Sequence, residues 1–327
     1  MKSLVTGSSG HLGEGLVRTL RNQNAEVIGL DIVPSEFTDE VGSIANRAFA
    51  RQCMQGVGVV FHAATLHKPH VLTHARQDFI DTNVTGTLNL LEEAVLAGVR
   101  SFIFTSTTSA FGSSLRPPHG APAAWITEDV RPVPRNIYGV TKTAAEDLCE
   151  LFHRKHKLAC LTLRTSRFFP EEDDDKEIRE LYTDENVKAN EFLYRRVDIE
   201  DVVSAHLLAA KQAPTIGFAR YIVSATTPFT REDLAELRCD APSVLKRIIP
   251  GYEEEYSLRG WKMFPGVDRV YVNELARREL GWSPRYDFRY ILNQLKANED
   301  PRSPLARSVG SKGYHTERFS EGPYPAE

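Results

Sequence analysis

The feature that most constrains this chain stands at its start. A short apolar run, Lys2-Ser3-Leu4-Val5-Thr6, enters Gly7-Ser8-Ser9-Gly10-His11-Leu12-Gly13. A helix follows from about Leu12 to Asn22, with Leu12, Leu16 and Leu20 on one face. Glu26-Val27-Ile28-Gly29-Leu30-Asp31 then reads as a second buried strand. Strand, glycine-rich turn, helix and strand make a βαβ unit, which commits the chain to helices layered on a parallel sheet.

The alternation continues. Strands are expected at Gly58–His62, Ser101–Thr105 and Ala159–Arg164, with helices at Asp78–Ala97 and Tyr138–His156 between them. This pattern predicts an α/β fold, a doubly wound parallel sheet of the Rossmann kind. After Arg164 it weakens, then returns as a helix at Asp198–Ala210 and a strand at Tyr221–Ser224. The expected division is a sheet domain over residues 1–168 with the returning segment 196–225. A smaller C-terminal substrate-binding domain takes 169–195 and 226–300, with two or three polar helices after Thr230. The run Glu171–Asp175 reads as a solvated acidic loop. Residues 301–327, which lack periodicity, read as a tail that is disordered or draped over a neighbour.

Composition removes several function classes. A net charge of -4 and a pI near 6.2 argue against a general nucleic-acid binder. No apolar run is long enough to span a bilayer and no signal peptide precedes the first strand, so a cytoplasmic location is expected. Cys53, Cys149, Cys160 and Cys239 are scattered and read as free thiols without a catalytic role. His62, His67, His70 and His74 cluster in sequence but lack a ligand set, so no metal is expected.

The glycine spacing has a chemical purpose. Gly7 permits the tight turn, Gly10 lets backbone N–H groups approach a pyrophosphate, and Gly13 lets the helix pack close to the strand. The helix N-terminus adds its partial positive charge. Asp31 ends the second strand, where a carboxylate accepts hydrogen bonds from a ribose and repels a 2′-phosphate. The cofactor is therefore expected to be NAD rather than NADP. Tyr138 and Lys142, four apart on one helix, share a face. The ammonium, together with the positive nicotinamide of NAD, is expected to lower the phenol's pKa toward neutrality and make Tyr138 a general base for a secondary alcohol.

Taken in order, these residues resemble the extended short-chain dehydrogenases, the NAD-dependent epimerase/dehydratase family. The resemblance rests on Thr6-Gly7-x-x-Gly10-x-x-Gly13, Asp31, His62-Ala63-Ala64, Asn83-x-x-Gly86-Thr87 and Phe104-Thr105-Ser106-Thr107-Thr108-Ser109-Ala110-Phe111-Gly112. It continues through Tyr138-x-x-x-Lys142, Arg195-Arg196-Val197-Asp198 and Leu280-Gly281-Trp282-x-Pro284. The resemblance implies a third catalytic residue at Thr107, with Ser106 and Thr108 as neighbours open to confusion with it. It implies cofactor contacts at Gly7, Ser9, Gly10, His11, Leu12, Gly13, Asp31, Ser43, Ile44, Ala63, Ala64, Thr65, Asn83, Thr105, Tyr138 and Lys142. Substrate contacts are assigned to His67, Lys68, Thr108, Ser109, Arg167, Arg195 and Arg269. It also implies a sugar-like substrate and a homodimer through the helices Asp78–Ala97 and Tyr138–His156.

Three outcomes stay open on the sequence. The chain is an NAD-dependent oxidoreductase or epimerase acting by hydride transfer at a secondary alcohol of a sugar-like substrate, a nucleotide-sugar 4-epimerase of the usual family type, or an NAD-binding regulator without catalysis. Elimination chemistry is disfavoured, because Thr107 is followed by Thr108 and Ser109 and not by the acidic pair of the family's dehydratases. The acidic run Glu171–Asp175 would repel a diphosphate, which points to a smaller polyhydroxy or carboxylate-bearing substrate.

Overall fold

The computed structural model describes residues 1–313, 315, 319 and 322–325. Among these, nine strands follow in chain order: β1 (Lys2–Thr6), β2 (Val27–Asp31), β3 (Glu40–Val41), β4 (Val57–His62), β5 (Ser101–Thr107), β6 (Ala124–Ile126), β7 (Cys160–Thr165), β8 (Phe218–Val223) and β9 (Arg269–Tyr271). Seven form one sheet, in the order β3-β2-β1-β4-β5-β7-β8 with every pairing parallel. The order reverses at β1, so a crevice opens at the carboxyl ends of β1 and β4.

The period of two along each strand sorts side chains to opposite faces. Val5, Phe61, Ile103 and Leu161 pack under the helices His11–Asn22 and Ile199–Ile216. Leu4, Val60, Phe102, Phe104 and Cys160 pack under Gly86–Ala97 and Ile137–His156. The sheet is therefore doubly wound, as its sequence pattern requires.

Elsewhere the chain departs from expectation. Arg76–Phe79 and Gly86–Ala97 are joined by a π-helical segment, Ile80–Thr85. Five α-helices lie between Thr230 and Ala297 rather than two or three: Leu234–Leu237, Ala241–Ile248, Tyr252–Leu258, Glu274–Leu280 and Phe288–Lys296. Most of their apolar faces join Val187, Leu193, Tyr194 and Phe229 in a second buried cluster, while Leu280 and Trp282 return to the main sheet's core. β6 and β9 pair in parallel, Ala124 beside Arg269 and Ile126 beside Tyr271. The Tyr271 N–H donates to the Tyr194 carbonyl at 3.0 Å, tying that pair to the second cluster.

The tail corrects the sequence reading. Pro304–Val309 is a helix, capped by the Ser303 hydroxyl, which accepts from the Ala306 N–H at 2.9 Å. The Ser303 N–H donates to Asp198 Oδ2 at 3.2 Å, and Leu305 fits over Gly15 on the first helix. It is thus packed on its own chain, a contact no periodicity reveals in so short a helix. The tail expectation also covers residues 314, 316–318, 320, 321, 326 and 327, which lie outside the described residues. Among the described residues no helix is long and apolar enough to cross a membrane.

Candidate active site

The glycine-rich turn is shaped by close approach. Gly7 has φ +76°, and a Cβ there would stand 2.7 Å from the Ala64 nitrogen. One on Gly13 would stand 1.8 Å from the Gly7 carbonyl oxygen. Gly10 is the extended N-cap of His11–Asn22, so the amides of His11, Leu12 and Gly13 open the helix without intrahelical acceptors. Asp31 stands beside them, its two carboxylate oxygens accepting from the Ser9 and Val33 N–H groups, each at 3.0 Å. Backbone donors, a helix N-terminus and an acid beyond the next strand form a cradle that fits NAD: pyrophosphate at the amides, ribose at Asp31.

The remaining expected cofactor residues are distributed around this cradle. The Leu12 side chain turns into the core, leaving only its backbone for a ligand. His11 Nε2 lies 2.9 Å from Glu171 Oε1. Ile44 is buried against Gly86, and the Ser43 hydroxyl accepts from the Ala45 N–H. The Ala63 and Ala64 N–H groups donate to the Thr6 carbonyl and hydroxyl, both at 3.2 Å. Thr65 donates to Asn83 Oδ1 at 2.9 Å. Asn83 in turn donates to the Leu66 carbonyl at 2.8 Å and to the Thr141 hydroxyl at 3.0 Å, pinning this loop to the helix of Tyr138. The π-helical segment carries Asn83, a placement typical of functional positions.

Tyr138 and Lys142 lie in the first turns of Ile137–His156, whose cap, Asn136, accepts from the Gly139 N–H. Lys142 is 2% exposed. Its Nζ donates to the Thr105 carbonyl at 2.7 Å and sits 4.1 Å from the centre of the Phe104 ring. Burial pushes its pKa down from 10.5 to about 7. Tyr138 is pushed up to about 12 by burial, with a hydrogen bond to Thr107 pulling the other way. The expected drop toward neutrality also invoked the nicotinamide charge of bound NAD; in the cofactor-free pocket burial holds the phenol high.

Three neighbouring hydroxyls separate cleanly. Thr107 is bonded to the Tyr138 phenol, Ser106 faces Glu146 at 2.5 Å, and Thr108 reaches toward the Thr165 carbonyl at 3.4 Å. The Thr105 hydroxyl is turned away to His206 at 2.9 Å, and Ser109 is exposed.

The acidic run is also corrected. It is solvated only in part: Glu172 and Asp175 are exposed, while Asp173 is buried and serves as a counter-ion. Arg167 pairs with Asp173, with Glu191 at 2.9 Å and with Asp174 at 3.3 Å. Arg195 meets Glu191 at 2.7 Å and Asp173 at 3.3 Å, Arg196 meets Glu191 at 2.7 Å, and Lys68 pairs with Asp174. Arg269 is paired with its neighbour Asp268 at 2.8 Å. Each of these cations thus has a carboxylate partner. Even so, Arg195 Nε and Arg269 Nε are buried with no hydrogen-bond partner among the described residues. His67 is held well below the ordinary imidazole range, first by burial and then by the positive charges of His70, His11 and Lys142. Glu171 and Glu191 were missed in the sequence, where no spacing marks either.

Comparison with known proteins places this geometry. A model of the NAD dependent epimerase/dehydratase family matches residues 3–217. A 3-beta-hydroxysteroid dehydrogenase of Mycolicibacterium neoaurum is 25% identical over 86% of this chain and 87% of its own length. The uncharacterized protein y4nG of Sinorhizobium fredii is 32% identical over 45% of this chain, which spans 36% of that protein. A short-chain dehydrogenase/reductase superfamily protein of Agrobacterium tumefaciens, solved with bound NAD, superposes with a TM-score of 0.66 at 23% identity, covering 91% of this chain and 96% of its own. MoeE5 in complex with UDP-glucose and NAD superposes at 0.63 and 23% identity, over 95% and 100%. At these identities the likeness to the solved structures is one of fold.

Proposed function

This chain belongs to the NAD dependent epimerase/dehydratase family, and on that premise we propose that it oxidises a secondary alcohol of a compact polyhydroxy substrate bearing one carboxylate. The observation that carries the substrate reading is the charge balance around Arg167. Four cations (Lys68, Arg167, Arg195 and Arg196) meet three carboxylates (Asp173, Asp174 and Glu191), leaving one positive charge over. Two buried guanidinium N–H donors add unmet hydrogen-bonding capacity. A single carboxylate suits that surplus and the fork geometry of arginine. A diphosphate would bring further negative charge beside three carboxylates already held there, at a desolvation cost the wall does not offset.

The chemistry follows from the residues. NAD, when bound, supplies the hydride acceptor and a positive charge in its nicotinamide. Tyr138, with a cation beside it, gives up its proton more readily and takes one from the substrate hydroxyl. Thr107, bonded to the same phenol, holds the substrate oxygen as charge develops. Lys142 keeps positive charge near the phenolate and stays anchored to Thr105. We also infer a homodimer, since Leu96, Val140 and Leu151 are exposed apolar side chains on the outer faces of Gly86–Ala97 and Ile137–His156.

The test is a panel of hexuronates, aldonates and neutral sugars, read as NADH formation, beside calorimetry with UDP, GDP, CDP and dTDP in the presence of NAD. Turnover of an acidic sugar without nucleotide binding is expected. Micromolar binding of any nucleotide would overturn the compact-substrate reading and restore a nucleotide-sugar 4-epimerase. No turnover of anything would leave the NAD-binding regulator.

A further inference from the structure

The last three residues of β5 are bonded to three successive turns of the helix Ile137–His156. Thr107 meets the Tyr138 phenol, the Thr105 carbonyl accepts from Lys142 Nζ at 2.7 Å, and the Ser106 hydroxyl donates to Glu146 Oε1 at 2.5 Å. Tyr138, Lys142 and Glu146 follow at intervals of four and so share one helical face. The third bond ends on a carboxylate that is buried as deeply as the catalytic amine. Arg164 of β7 donates to it from Nε at 3.0 Å and from Nη2 at 2.7 Å, and Arg220 of β8 from Nε at 3.2 Å. Arg164 is buried too and lies over the Phe111 ring, 4.9 Å from its centre, whereas Arg220 is also paired with Asp147 and Glu150. An apolar pair of similar volume would hold the helix on the sheet at least as well as this ion pair does. The charge itself therefore calls for a use.

We propose that Glu146 is a positioning residue for the proton transfer: its carboxylate, fixed by Ser106 and Arg164, acts through Lys142 and keeps an ammonium beside the Tyr138 phenol. This role rests on the reading of Tyr138 and Lys142 as the proton-transfer pair given above. A buried amine loses its proton readily, and one without charge gives a phenolate nothing to lean on. The groups facing Lys142 can be named element by element. Tyr138, Glu146 and Cys149 lie on its own helix, the Thr105 carbonyl and the Phe104 ring on β5, His62 at the end of β4 and His67 in the loop after it. Both imidazoles are pushed well below their ordinary range, first by burial, and so add no positive charge of their own. Burial lowers the amine's pKa; the Glu146 carboxylate is the first influence that raises it, and Cys149 the second. Ser106 sits between the residue that anchors the amine and the residue that meets the phenol, so its bond sets the carboxylate in register with both.

The test reads Lys142 directly. In the NAD-free full chain labelled with 13C at lysine Cε, the Lys142 resonance is the one absent from Lys142→Met, and its shift follows the ammonium's titration. Glu146→Gln should move that titration down by about one pH unit or more, since an opposite charge is gone and Arg164 is left unopposed. That substitution strands a buried guanidinium, so Glu146→Leu with Arg164→Met, which removes both charges together, is measured beside it with circular dichroism as the control for folding. There too the titration should fall, whereas Glu146→Asp, which keeps the charge, should stay within about half a unit of the parent. An unchanged titration in either charge-free variant that folds, or one in Glu146→Asp that falls as far as in Glu146→Gln, overturns the proposal whatever the substrate is. With a substrate from the panel, Glu146→Gln should lower kcat about fivefold or more at pH 7, where the parent amine is half charged, with KM nearly unchanged. A lowered titration with kcat unchanged would also overturn it, since the amine's charge would then not matter to the reaction. A panel without turnover fails the oxidoreductase reading, and the titration still decides whether Glu146 holds the amine charged.

Discussion

Replacing Lys142 with methionine removes an amine that is 2% exposed and whose pKa falls from 10.5 to about 7 on folding. The consequence for stability has a definite sign. Below pH 7 the folded chain carries a buried ammonium and bears the full penalty; above pH 10.5 neither state is charged and the penalty is gone. Between these values the unfolded chain binds about one proton more than the folded one, so stability rises with pH. At about 1.4 kcal/mol per proton and pH unit, reduced near pH 7 where the folded amine is half protonated, the gain from pH 7 to pH 9 is about 2 kcal/mol. Methionine fills a similar volume and cannot titrate. Its loss is the bond to the Thr105 carbonyl, about 1 kcal/mol, set against relief from a buried charge. Lys142→Met is therefore expected to be more stable than the parent at pH 7, by about 1–3 kcal/mol, and to have lost turnover. Urea unfolding of both NAD-stripped proteins at pH 7 and pH 9 supplies the comparison; groups common to both cancel in the difference. Equal pH slopes for the two proteins, or a variant less stable at pH 7, would refute the argument.

Tyr138→Phe should abolish turnover with NAD binding nearly intact; retention of more than about a tenth of the parent rate rules the phenol out as general base, since such catalysis is worth about 10²–10⁴-fold. NAD should bind at least about tenfold more tightly than NADP, a difference near 1.4 kcal/mol, because the Asp31 carboxylate is fixed by the Ser9 and Val33 amides; equal affinities in a titration would mean that Asp31 does not meet the ribose. Glu191→Gln strips the shared counter-ion from Arg167, Arg195 and Arg196 and should cost about 3–5 kcal/mol in thermal or urea unfolding; a loss below about 1 kcal/mol would show that the arginines are balanced without it.

How much of this was legible depends on the range of the interaction. The glycine turn, Asp31 and the Tyr138–Lys142 pair are local: their spacing sets their geometry, and the sequence carries the spacing. Strands β1, β4, β5 and β7 show as apolar runs because both faces of a parallel sheet are buried. The two-residue β3 and three-residue β6 and β9 are too short to show a period. Asp173 and Asp174 looked like solvent-facing acids because no spacing ties them to nearby Arg167, and Arg195 and Lys68 are remote in the chain. The tail failed for the same reason: Ser311 and Lys312 mean nothing until folding brings Glu171 and Glu14 beside them. At Tyr138 the sequence shows a cation four residues away but not the burial that raises the phenol's pKa in the cofactor-free pocket.

The parallel pairing of β6 with β9 has a consequence for synthesis. Ala124–Ile126 leave the ribosome long before Arg269–Tyr271 exist, and a parallel pair cannot be closed by a hairpin turn. The sheet from β1 to β5 can collapse while translation proceeds, with its central partners already made. The small pair must wait, its first strand exposed as an unpaired edge until most of the chain has emerged. Chain elongation thus imposes an order of assembly in which the scaffold precedes the wall it supports.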